Sequence, residues 1–400
     1  MWEQIRSNQT RSALLVVWMG ILLLLLGYFL GLYFLGDGII GLIIATMLWI
    51  IMSLVGYFQG DSILLASSRA RKITPDDHPR LYNVIEEMKI ASGLEKMPAV
   101  YIMDDPAMNA FATGRDPKKA SVAVTSGLLQ KLNRDELQGV VGHEMAHIKN
   151  RDVLLMAMCA VLLGTIVMLA WYGSRFMIFG GMGRTRRSSS SGGSAGTAII
   201  VIVALVLMIL APIFAQLIYF ALSRRREYLA DASSALYTRY PEGLASALEK
   251  ISGSTEQLKS ANKATAPMYI INPFRKQGMS AEDLTSTHPP ISQRIHILRA
   301  MGGASYQDYS TAYQQVLHTD KVFIPAAAAV ATGSIALRAA QPEPTQKLEE
   351  VQRVRETTNA LWNAHNYRTI NCACGTKLRL PPTYKLPEVK CPHCGGINPV

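Results

Sequence analysis

Four stretches of this chain are too long and too apolar for a soluble core, and they frame every other reading. They run from Ala13 to Leu35, Ile39 to Tyr57, Val153 to Tyr172 and Thr197 to Phe220, and none contains Lys, Arg, Asp or Glu. A helix crossing a bilayer takes about 20 apolar residues, whereas a core helix of that length normally keeps a polar stripe. The first run is too long for a cleaved leader, and the second follows at once after Gly36-Asp37-Gly38. The N-terminus therefore reads as a retained membrane hairpin. A chain with 49% hydrophobic and 17% charged residues is not disordered, and five cysteines in 400 residues do not make a disulfide scaffold. The net charge of +11 admits nucleic acid or an anionic membrane surface as partner. The apolar runs favour the lipid bilayer, and no nucleic acid is expected.

Orientation follows from the short flanks. Arg6 and Arg11 precede the first run, Arg69, Arg71 and Lys72 follow the second, Lys149 and Arg151 precede the third, and Arg224, Arg225 and Arg226 follow the fourth. These predict a multi-pass membrane protein with both termini and the polar segments cytoplasmic. The loop with Arg175, Arg184, Arg186 and Arg187 pulls the other way. Either the outer flanks outvote it or the second hairpin is shallow; the sequence leaves both open.

The expected organisation is a membrane hairpin at 1–60, a mixed soluble segment at 61–152, a second hairpin at 153–220, a second soluble segment at 221–303, a linker at 304–345, and a helix with a cysteine-bearing tail at 346–400. Leu81 to Met88 reads as helix, Val100 to Met103 and Ala120 to Val124 as strands, and Thr125-Ser126-Gly127 as a turn.

The sharpest chemical signal is His143-Glu144-Met145-Ala146-His147, after a helix-like run from Leu132 to Val141. Residues four apart share a helix face, so both imidazoles can reach one Zn²⁺ at about 2.0–2.1 Å. Glu144 is then placed to take a proton from a water at the metal. Beyond the fourth run, Glu227 and Asp231 are again four apart. Glu227 can complete a His₂Glu set, and Asp231 can accept the second N–H of a ligand histidine. Asp135, Glu136, Lys149, Arg151 and Asp152 flank the motif, which argues against a site in mid-bilayer and for one at the cytoplasmic mouth.

Several strings together resemble the HtpX-type membrane zinc endopeptidases, relatives of the CAAX prenyl endopeptidases. They are Asn109-Ala110-Phe111-Ala112-Thr113-Gly114, His143 to His147 with Asn150 and Asp152, Glu227 to Asp231, and Thr287-His288-Pro289-Pro290 followed by Arg294. The resemblance covers about residues 1–303. It implies a mostly α membrane protein, with four transmembrane helices and an α+β gluzincin-type metalloprotease domain. It implies His143, His147 and Glu227 as zinc ligands, Glu144 as general base, and His288 and Arg294 as donors to the transition state and the substrate carbonyl. Asn109 is expected to order a strand that pairs with substrate backbone. Polypeptide substrates, misfolded or damaged membrane proteins, are the implied partners. A membrane-anchored interaction protein with a vestigial zinc site is the alternative, and the intact Glu144 argues against it.

The tail carries Cys372-Ala373-Cys374 and Cys391-Pro392-His393-Cys394, each pair followed by Gly. It resembles a zinc ribbon, with Cys372, Cys374, Cys391 and Cys394 as the expected ligands of a second, structural Zn²⁺. The first pair is one residue shorter than the usual spacing. A ribbon of this kind could recruit a partner. Cys159 lies in the third apolar run and reads as a small core residue.

Overall fold

The computed structural model describes residues 2–180, 194–259, 268–271, 289–320, 335–341 and 346–400. His288 and the loop arginines at 184, 186 and 187 lie outside them. The first two apolar runs form α1 (Trp2–Leu35) and α2 (Gly38–Ser67). Asp37 caps α2, its carboxylate accepting from Ile39 N at 2.7 Å. The hairpin closes on small residues: a Cβ at Gly31 would stand 2.5 Å from Gly41 Cα, and one at Gly27 would stand 2.3 Å from Ala45 Cβ. Such backbone approach replaces the hydrophobic effect as the source of cohesion in lipid.

The third run opens α6 (Asp152–Gly180), and the fourth lies in α7 (Ser194–Thr238). Met19, Leu23, Cys159, Leu163, Ile166, Ala211 and Ala215 are buried together between the bundle helices. Ile43, Met47, Leu54, Trp171, Ile209 and Phe214 point outward, as lipid contact requires. Among the described residues, three helices are long and apolar enough to cross a membrane by composition, with Val201–Leu217 a shorter apolar stretch. In one respect the fold departs from the linear reading. The fourth run and the helix bearing Glu227 are a single rod of 45 residues, so the membrane segment itself aims the carboxylate.

The soluble segments interleave into one domain. A sheet of order β1-β2-β4-β3 joins β1 (Arg71–Lys72), β2 (Ala99–Met103), β3 (Ala110–Thr113) and β4 (Ser121–Thr125). The β2–β4 pair is parallel and the other two pairs are antiparallel, leaving β3 as an edge. One face packs on α3 (Pro79–Ser92) and α5 (Arg134–Lys149) through Leu81, Val84, Ile85, Val100, Val122, Val124, Leu137 and Val141. Instead of a bare turn after β4, Thr125 caps a short helix, α4 (Ser126–Lys131). Then α8 (Pro241–Gly253), α9 (Ile291–Arg299) and α10 (Tyr306–Leu317) complete the core, with Leu248, Ile297 and Tyr309 fully buried.

Part of the stretch read as linker is fixed. Arg338 donates to Asp135 at 2.7 Å, Gln138 at 2.8 Å and Thr238 O at 2.8 Å. Helix α11 (Gln346–Ala364) docks along α4 with Thr357 and Ala360 buried. Arg353 donates to Gln130 O at 3.1 Å and Asn363 to Asp77 at 2.8 Å. The tail ends in two small hairpins, β5 (Arg368–Asn371) with β6 (Lys377–Leu380) and β7 (Glu388–Lys390) with β8 (Ile397–Pro399).

Candidate active site

Helix α5 begins with a capping box, the side chains of Asn133 and Glu136 each accepting from the other's backbone N–H. Its middle is made for close crossing. A Cβ at Gly139 would stand 2.6 Å from Leu244 N, and one at Gly142 3.1 Å from Ser234 Oγ. Ser234 of α7 donates to Gly139 O at 2.7 Å. This contact brings α7 against α5 one turn before the histidines, and Glu227, two turns back along α7, then lies over them.

The donor atoms converge. His143 Nε2 and His147 Nε2 are 3.2 Å apart. Glu227 Oε2 lies 3.5 Å from the first and Oε1 lies 3.5 Å from the second. A tetrahedral ion with bonds of about 2.1 Å separates its donors by about 3.4 Å, so this triangle fits zinc. All three side chains are buried.

Each imidazole is backed by a carboxylate. His143 Nδ1 is 2.9 Å from Asp231, and His147 Nδ1 is 3.3 Å from Asp152. These bonds present both Nε2 lone pairs to the centre and fix ring orientation. The sequence offers Asp152 as part of the zinc-helix string and as a charge flanking the motif; its contact with His147 comes from the structure.

Arg294 is fully buried and donates to Asp231 through Nε at 2.8 Å and Nη2 at 2.7 Å. Its Nη1 is 3.4 Å from Glu227 and 3.3 Å from Ile270 O. Arg226 stands 3.5 Å from Asp152. Burial raises the Asp231 carboxyl, but Arg294 outweighs it and holds the group below the usual range. Burial drives the proton off His147; Asp152 and Glu227 reverse this and push it up to about 10. The site as built attracts positive charge to the point between the imidazoles, where a cation would sit.

Glu144 lines the same cleft with Ala112, Glu227, Met268, Tyr269 and Ile270. Burial raises its carboxyl, the two imidazoles and a hydrogen bond from the Ala112 backbone lower it, and the net direction is upward. Upward from the usual carboxylate range is the direction a general base needs to work near neutral pH. Asn109 is buried at the head of β3. Its Oδ1 accepts from Ala110 N at 3.0 Å and its Nδ2 donates to Ile271 O at 3.1 Å.

In the tail, Cys372 Sγ is 3.5 Å from Cys394 Sγ, and Cys374 Sγ is 3.8 Å from Cys391 Sγ. Four thiolates at about 2.3 Å from one zinc stand about 3.8 Å apart, and these four sulfurs, all within 4.8 Å of one another, are compatible with such a set despite the shorter first pair. Gly375 and Gly395 turn each knuckle at φ 83° and 75°, where a Cβ is strained. His393 is exposed.

Comparison with known proteins assigns the class: this is a membrane-bound metalloprotease. The chain belongs to Peptidase family M48, whose profile matches residues 75–302. A Protease HtpX homolog of Dictyoglomus thermophilum is 46% identical over 302 residues, spanning 75% of this chain and 95% of the relative. That of Caldanaerobacter subterraneus is 43% identical over 301 residues, spanning 75% and 98%. The crystal structure of S. mikatae Ste24p aligns at a TM-score of 0.40 with 19% identity, covering 74% of this chain and 67% of that one. The cysteine tail lies beyond the matched profile.

Proposed function

We propose that the protein is an inner-membrane zinc endopeptidase working at the cytoplasmic face on misfolded or damaged membrane proteins. His143, His147 and Glu227 hold the zinc. When bound, it supplies the Lewis acidity that makes water nucleophilic near neutral pH and polarises the scissile carbonyl. Glu144 takes the proton of the attacking water and returns it to the leaving amine. Asp231 and Asp152 accept the Nδ1–H of the two imidazoles, which leaves each Nε2 for the zinc and holds the rings correctly turned. Arg294 positions Asp231 and Glu227 and offers Nη1 to a backbone carbonyl. The oxyanion donor is the role given to His288, and Asn109 orders β3 for substrate pairing.

The cytoplasmic placement is supported by the cations that leave α2 (Arg69, Arg71, Lys72), precede α6 (Lys149, Arg151) and follow the fourth apolar run in the sequence (Arg224 to Arg226). In the tail, Cys372, Cys374, Cys391 and Cys394 hold a second, structural zinc, and its reduced thiols suit that compartment. The ribbon is a ready surface for a partner.

One observation carries the reading: a buried carboxyl, Glu144, shares a cleft with a donor triangle of zinc dimensions. Glu144→Gln tests it. Peptide hydrolysis should disappear while zinc content stays at the wild-type level. Retained hydrolysis, or retained biological activity without hydrolysis, would defeat it.

A further inference from the structure

Strand β3 has a free edge facing the zinc-site cleft, and the chain itself occupies it. Thr125 N donates to Asn109 O at 3.0 Å, so odd-numbered residues of β3 bond inward to β4. Alternation then turns the backbone groups of Ala110 and Ala112 outward. Ala112 reaches Glu144. Ala110 O accepts from Ile270 N at 3.0 Å. The next groups of that segment are taken too: Ile270 O by Arg294 Nη1 at 3.3 Å and Ile271 O by Asn109 Nδ2 at 3.1 Å. Tyr269 and Ile270 are each 1% exposed. Tyr269 packs edge-on against Phe111 with centroids 5.3 Å apart, and its hydroxyl meets Ser68 Oγ at 3.0 Å, at the end of α2. Space for about 10 Å³ remains beside the histidines, the order of one water and far short of a peptide.

We infer that Met268–Ile271 is an internal competitor for substrate, holding β3, Asn109 and Arg294 until an extended apolar peptide displaces it. This rests on the protease reading for the identity of the cleft. It deepens that reading in substrate class. Main-chain bonds to an edge strand are blind to sequence, so selection falls to the side-chain seats. The Tyr269 seat is walled by Phe111 of β3 and by Leu64, Leu65, Met156 and Ala157 from the membrane-proximal ends of α2 and α6. A substrate residue there must be large and apolar, and it must arrive next to the bilayer. Covering an edge strand also prevents pairing with other chains. That role alone predicts a permanent wall, and the experiment separates wall from competitor.

The test is binding of a fluorescein-labelled peptide of alternating apolar residues to detergent-solubilised full-length protein carrying Glu144→Gln. Adding Ile270→Pro deletes the donor to Ala110 O. Affinity should rise about fivefold, the worth of one backbone hydrogen bond. Tyr269→Phe and Ser68→Ala each remove one side of the Tyr269 anchor without a backbone change, so they answer if the proline variant does not fold; each should tighten binding about threefold. With Glu144 intact, the same changes should lower KM and leave kcat near wild type. Unchanged or weaker peptide binding in these variants makes the segment a wall and overturns the inference. Tighter binding with no hydrolysis by any Glu144-containing form would uphold the competitor and fault the protease reading instead.

Discussion

The two metal-type clusters of this molecule are built on opposite principles. Around His143, His147 and Glu227, a large apolar core and two long helices bring the donors to within 3.5 Å of one another. Two aspartates and two arginines then lock the donors' orientation. Around Cys372 and Cys391 there is almost no core: Leu378 is buried with them, and Ile370 and Val389 pack partly against it. In the first region the fold holds the donors for the metal. In the second, where we propose a structural zinc, the metal would have to hold the donors for the fold.

Metal removal gives the sharpest contrast. A strong chelator should unfold residues 366–400 and leave the protease domain folded, because a structural zinc contributes about 10–16 kcal/mol to modules of this kind. Limited proteolysis with mass mapping reads the result as cuts confined to the tail. Cuts appearing equally in both regions would break the comparison. Zinc analysis gives its stoichiometric form: wild type should carry two ions, and a chain ending near residue 345 should carry one. Next in size is Glu144→Gln, which should lower peptide turnover on the order of 10³-fold while both zincs stay in place.

Those expectations rest on features of unequal visibility in the sequence. The membrane runs show plainly, since an uncharged stretch of bilayer length has few other fates. The pairing of His143 with His147 is a property of any helix, and the knuckle glycines stand beside their cysteines. The arrival of Glu227 is a different matter. It depends on Gly142 letting Ser234 of α7 close on α5, and on α7 running unbroken from the membrane. Neither condition has a periodicity to read. The α11 docking face and the Ile270 contact to β3 are illegible for the same reason: each joins segments far apart in the chain through one or two bonds. The cysteine tail is the reverse case, local in sequence and closed by its own turns.

His78 lies on the seam between the two regions. It caps α3, with Nδ1 accepting from Leu81 N at 3.2 Å, while Nε2 meets Thr357 Oγ1 of α11 at 3.3 Å. Thr357 donates its own proton to Arg353 O, so His78 must supply the N–H and remain neutral. Burial first, and Arg80 second, depress it from 6.5 to about 4. The folded state therefore refuses a proton that the unfolded chain binds. Stability from this group is complete above pH 6.5 and is lost as pH falls towards 4, by at most about 3 kcal/mol. Denaturant melts across that window, wild type against His78→Asn, isolate the contribution. A variant with the same acid slope as wild type would remove His78 from the seam.

The smallest expected effect tests pre-organisation itself. Asp231→Asn keeps an oxygen for His143 Nδ1 but removes the charge that Arg294 brackets with two bonds. Losing such a partner typically lowers metal affinity 10–100-fold, and competition with a chromophoric chelator measures it. Asp152→Asn should cost less, because its contact with His147 is 3.3 Å against 2.9 Å and its arginine stands off at 3.5 Å. Neither change should alter zinc retention by the cysteines, where no charged scaffold backs the ligands. If the catalytic ion holds as tightly without Asp231 as with it, the donor triangle owes its chemistry to the three ligands alone, and the distinction between the two clusters reduces to size.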